Sequence, residues 1–137
     1  MWLAYALASA IFAALTSIFA KLGLASVNSN LATAIRTAVV LIMSCGIILA
    51  TGGHREVSSI DARGWLFLAL SGVATGASWL FYMKALEIGE ASKVIPVDKL
   101  SVVFSIMLAF AFLNERFTAK SAIGIALLAS GTLFLVL

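Results

Sequence analysis

Asp98 and Lys99 stand side by side just after Pro96, the chain's single proline, within the otherwise apolar stretch VIPVDKLSVV (94–103). Arg36 is another charge set well inside an apolar run, among Leu, Ile and Val. In such surroundings an Asp can carry a proton or balance a cation, and Arg or Lys can hold a carboxylate or phosphate. Retaining charges where solvation is poor is costly, and their default reading is functional.

Polar side chains recur around these charges at helical spacing. Ser71, Thr75, Ser78 and Tyr82 fall at i, i+4, i+7 and i+11, which is one helix face. Asp98, Ser101 and Ser105 share a second face, Thr33, Arg36, Thr37 and Ser44 a third, and Ser9, Thr16 and Ser17 a fourth. Each hydroxyl alone is explained by helix packing, since Ser and Thr bond readily to backbone carbonyls between membrane helices. Stripes in four helices together predict a central polar cavity, with Trp79 and Tyr82 as wall or as interfacial aromatics.

The elements that must position these groups follow from composition. Of 137 residues, 63% are hydrophobic and 11% charged, too little polar surface for a soluble domain of this length. A spanning helix needs about 20 apolar residues. Five windows qualify, roughly 2–24, 31–50, 64–86, 94–113 and 119–137. The runs are continuous rather than alternating, which argues against an outer-membrane barrel. The connections SVNSN, TGGHREVSSIDAR, EIGEASK and NERFT are too short to hold a second domain. The expected fold is an all-α integral membrane protein, one five-helix transmembrane domain over 1–137. The first span lacks a basic leader and reads as retained.

Insertion energetics restrict where the charges sit. The penalty of about 2.5–3.5 kcal/mol for Arg36 is offset by apolar neighbours contributing about 0.5 kcal/mol each. Asp98 plus Lys99 at the bilayer centre would cost about 5–7 kcal/mol, close to all that their span gains. The pair is therefore expected near a helix start or facing water inside the protein. Adjacent residues point about 100° apart, so both cannot face one cavity squarely. In a structural alternative Lys99 reaches the interface and Asp98 caps or pairs locally. Glu87, Glu90 and Lys93 read as a solvated turn, and Glu115 and Arg116 as interfacial. Trp2 and Trp65 read as interfacial anchors.

The remaining features exclude more than they assign. Cys45 is the single cysteine, so no disulfide forms within the chain; it reads as a small core residue. The net charge of +3 is scattered and offers no nucleic-acid patch. His54, the only histidine, lies in a loop; neither a metal cluster nor a nucleophile–base pair is legible, and no cofactor or enzymatic activity is expected. With the N-terminus inside, Arg55, Arg63, Arg116 and Lys120 fall in cytoplasmic loops, against Lys93 and the helix-end Lys21 and Lys84. The positive-inside rule thus favours N-in by a small margin. Gly72 and Gly76 form a GxxxG, and Ala122, Ala126 and Ser130 repeat every four, both weak association signals.

With these residues placed, the chain resembles a single repeat of the EamA-like group within the drug/metabolite transporter superfamily. The resemblance is strongest over 85–135, in Ala85-Leu86, Gly89-x-Ala91, Pro96, Leu113-x-Glu115-Arg116 and the Gly-rich last helix. Lys21 and Arg36 match positions where the family often carries basic residues. GIALLASGTLFL (124–135) is similar to the helix by which small multidrug resistance proteins dimerise, which implies an interface of Gly124, Leu128 and Gly131. The chain departs from the pattern in LSVV, where the family has a further proline, which leaves a second helix break there open. It also lacks the family's Trp-Gly pair and any carboxylate in the first span. If transport is proton-coupled, Asp98 is the deep carboxylate left to carry the proton.

The resemblance implies a secondary transporter of small metabolites, an exporter, in a bacterial or archaeal cytoplasmic (inner) membrane. Larger relatives join two inverted five-helix repeats around a midplane site. One repeat would need an antiparallel copy of itself or an oppositely oriented paralogue, and a weak charge bias suits dual topology. Arg36, Lys99 and Lys21 would hold an anionic group, Asp98 would balance charge or carry a proton, and Thr75, Trp79, Tyr82 and Ser101 would line the path. Flipping of a lipid-linked group, or a non-transporting role as membrane partner, are the alternatives.

Overall fold

The computed structural model describes residues 1–113 and 118–137; Glu115 and Arg116, expected at the interface, lie outside them. The described residues form α1 (Trp2–Gly23), α2 (Ser29–Thr51), a 3₁₀ segment (Gly53–Ser59), α3 (Ala62–Ile88), α4 (Ala91–Asp98), α5 (Ser101–Leu113) and α6 (Ala119–Val136). Taking α4 and α5 together as Ala91–Leu113, five helical stretches are long and apolar enough to cross a membrane. This is the all-helical, five-span fold the hydropathy predicts.

Local chemistry sets the helix ends. Asn28 caps α2, its side chain accepting from the Asn30 N–H at 2.9 Å. At the far end Gly52 takes φ 76° and its N–H returns to the Ile48 carbonyl, a left-handed stop that suits glycine. Asp61 caps α3 through the Gly64 N–H at 2.9 Å. A Cβ at Gly64 would meet that carboxylate at 2.8 Å, so the glycine leaves room for the cap. Thr118 caps α6 through the Ser121 N–H.

The expected fourth span is corrected in two ways. The helix begins at Ala91 rather than near residue 94, and Pro96 lies inside α4. It then breaks at Lys99–Leu100 without any second proline. Pro96 has no N–H to donate back along the helix, which weakens the turn around it. The Lys99 N–H is shared among the carbonyls of Ile95, Pro96 and Val97, tightening the last turn instead of continuing the α pattern. The connection read as TGGHREVSSIDAR likewise carries the 3₁₀ segment.

The chain divides into two compact units, Met1–Ile18 with Ile88–Leu137, and Phe19–Glu87. In the first, α6 packs chiefly against α4 and less against α5. Thr132 is buried there and donates to the Pro96 carbonyl at 3.4 Å. In the second, the last turn of α1 joins α2 and α3, and burial is confined to one end: Ala20, Ser29, Thr33, Met83 and Leu86. Cys45, expected in the core, is exposed on α2. An apolar side chain in a bilayer gains little from leaving lipid for protein, so its helix needs no cover there.

Candidate functional site

The second unit gathers its polar groups where α2 and α3 meet. On α2, Ser29, Thr33 and Arg36 recur at i, i+4 and i+7; on α3, Trp79, Met83 and Leu86 do the same, so each set occupies one helix face. Two of the α2 side chains reach α3. Ser29 Oγ donates to Glu87 Oε2 at 3.0 Å, and Arg36 Nη1 donates to Met83 Sδ at 3.0 Å. Thr33, between them, is buried and bonds back to the Ser29 carbonyl at 2.8 Å.

Arg36 is half-buried, and its guanidinium carbon lies 4.9 Å from the centre of the Trp79 ring. The ring face offers the cation its quadrupole, worth about 0.5–2 kcal/mol according to desolvation. Met83 has no exposed surface and supplies a thioether, a weak acceptor. The guanidinium carries about five N–H donors in a rigid fork. No carboxylate forms an ion pair with Arg36 among the described residues. A planar cation thus stands on an aromatic platform with most of its donors unclaimed by protein anions. That arrangement suits bidentate capture of a carboxylate or phosphate.

The end of α3 adds charges that the sequence reading placed in a solvated turn. Glu87 lies inside α3, its side chain 24% exposed, and its Oε2 takes both Ser29 and Lys84. Lys21, from the last turn of α1, donates to the Leu86 carbonyl. Leu86 is wholly buried, so this contact fixes the α1 terminus against α3. Glu87 was missed because periodicity on one helix carries no information about a partner on another. Its spacing from Met83 was the available signal: residues i and i+4 share a face.

Of the sequence-predicted residues, Arg36 and Trp79 are brought together, and Lys21 and Tyr82 belong to the same unit. Thr75 is exposed and its hydroxyl bonds the Ser71 carbonyl at 2.9 Å. Thr37 and Ser17 likewise bond within their own helices, which is what packing alone would produce. Asp98, Lys99 and Ser101 belong to the first unit. There Lys99 Nζ lies 3.3 Å from Asp98 Oδ2, the local pairing of the structural alternative, with the two side chains 51% and 34% exposed. Gly124 and Gly131 are open, a Cβ at either meeting nothing within 4 Å, while Leu128 is half-buried.

The sequence matches the EamA-like transporter family over residues 1–137. A protein from Sinorhizobium sp, described as "Uncharacterized transporter in cobO 3'region", is 50% identical over 134 residues, which span 98% of this chain and 95% of that protein. No solved structure matches the chain. Five membrane-crossing helices and a family match along the whole length lead to one conclusion: the chain belongs to the EamA-like transporter family and is a multi-pass membrane transporter.

Proposed function

We propose that the protein is a secondary transporter of small organic anions, in which Arg36 on its Trp79 platform receives the carboxylate or phosphate of the substrate. The observation that carries this reading is the half-buried guanidinium, stacked at 4.9 Å on an indole and without an ion-pair partner among the described residues. A strut for helix packing has no need of a charge, whereas a recognition site for anions does. Lys21, Thr75 and Tyr82 in the same unit, and Lys99 and Ser101 in the other, are further candidates for substrate contact. Asp98 is the candidate proton carrier in the other unit.

The working unit in this reading is an inverted dimer that alternates its access, either two copies or this chain with an oppositely oriented paralogue. The weak positive-inside bias supports dual topology, and the open glycine face of α6 at Gly124 and Gly131 supports a partner there. Export across the inner membrane is the direction that the family resemblance favours. The test is transport by proteoliposomes loaded with radiolabelled small carboxylates and phosphates. A loss of flux of at least about a hundredfold in Arg36→Gln is expected, the scale of removing a charge-assisted contact from a desolvated site. Full flux in that variant would remove Arg36 from the site.

A further inference from the structure

We propose that Glu87 and Ser29 form a gate, whose bond closes the Arg36 site toward the end of α2 that follows residues 24–28. The proposal rests on the anion-site reading, because what the gate closes is the approach to that guanidinium. Three helix ends converge here: Lys21 of α1 on the Leu86 carbonyl, Ser29 of α2 on Glu87, and the last turns of α3 that carry both acceptors. Ser29 lies about 10 Å along α2 from Arg36, seven residues at the helical rise, with the buried Thr33 between them on one face. The Ser29–Glu87 contact lies at the α2 end that follows residues 24–28, with Arg36 beyond it.

Two observations make this contact a gate rather than a strut. First, α2 and α3 are covered only near it. Residues 37–43, 45–51 and 65–78 are exposed, so beyond the Arg36 contacts with Met83 and Trp79 the helices have little else to hold them together. Second, opening strands no charge. Glu87 shares its oxygen with Lys84, three residues back on its own helix, and Lys84 is 58% exposed. The carboxylate can leave Ser29 while keeping its cation, so separation costs one hydrogen bond from a hydroxyl rather than an ion pair.

The gate is tested by thiol accessibility in nanodiscs. Cys45→Ala removes the native cysteine, and Thr33→Cys places one behind the contact. Cationic and anionic methanethiosulfonate reagents are then applied in parallel. In this background both should react slowly, and Ser29→Ala or Glu87→Gln should raise both rates about tenfold. Combining the two should give no more than either alone, because they cut the same bond. Lys84→Ala should stay within about threefold, as it leaves the contact between helices in place.

Three results would overturn the gate: unchanged rates in Ser29→Ala and Glu87→Gln, opposite changes for the two reagents, or effects that multiply in the double variant. The second would mean only that Glu87 attracts or repels the reagent. Ser29→Ala carries the test if Glu87→Gln fails to fold. Flux in Arg36→Gln reports the anion site, and the thiol rates at residue 33 report the contact. Loss of anion recognition and loss of gating are therefore read separately.

Discussion

The α2–α3 junction and the α4–α5 break both put charges into apolar surroundings, and they settle them in opposite ways. At the junction the partners come from different helices: Ser29 to Glu87, Arg36 to Trp79 and Met83, Lys21 to the Leu86 carbonyl. At the break, Asp98 and Lys99 are neighbours in sequence and pair with each other. An adjacent pair satisfies itself without committing other helices. A pair across helices ties their positions together, so its loss is felt as motion as well as lost contact. The comparison teaches that a conspicuous charged dipeptide can settle its charges without a partner from another helix.

The largest expected difference between the two regions is in substrate handling. Arg36→Gln should abolish anion recognition, while Lys99→Gln and Asp98→Asn should reduce it less than about tenfold. Transport rates in proteoliposomes check this, and equal losses would erase the contrast. Asp98→Asn also tests proton coupling: an unchanged pH dependence of transport would remove Asp98 from that role. A smaller effect sharpens the role of the Trp79 platform. Arg36→Lys keeps the charge but loses the planar fork and the stack, and binding should weaken about tenfold. Affinity equal to the parent's would mean that charge alone matters.

Stability effects come next. Asp61→Ala removes the side-chain cap at Gly64 and should cost about 1 kcal/mol, seen as a lower midpoint in thermal unfolding in detergent. Thr132→Val removes the bond to the Pro96 carbonyl, long at 3.4 Å, and should cost under about 1 kcal/mol. Asp98→Asn should be the smallest, within about 0.5 kcal/mol, because a partly exposed adjacent pair contributes little. A large loss in Asp98→Asn would show that the pair supports the helix break after all.

Much of the fold was legible because the bilayer simplifies the code. Length and continuous apolarity mark a spanning helix, and α1, α2, α3 and α6 follow those runs closely. The break at Lys99–Leu100 was not legible, because Pro96 acts on the turn around it and the sequence names no second breaker. Arg36 and Trp79 were each suspected, one as a buried charge and one as an aromatic near the end of a span. Their pairing required knowing that α2 and α3 run antiparallel with residue 36 opposite 79–83. Glu87 looked like part of a polar turn because only its neighbours along the chain were visible. The hydroxyls of Thr37 and Thr75 bond to carbonyls of their own helices, so the stripes by themselves do not separate packing from a cavity lining.

The most direct test of the anion site uses Trp79 as its own reporter. With Trp2→Phe and Trp65→Phe, the remaining indole fluorescence can be quenched by iodide, an anion, and by neutral acrylamide, at constant ionic strength. If Arg36 collects anions on the Trp79 face, iodide should quench several-fold more efficiently than acrylamide, and Arg36→Gln should abolish that preference while leaving acrylamide quenching alone. Equal quenching by the two probes, or an iodide preference that survives Arg36→Gln, would contradict the account.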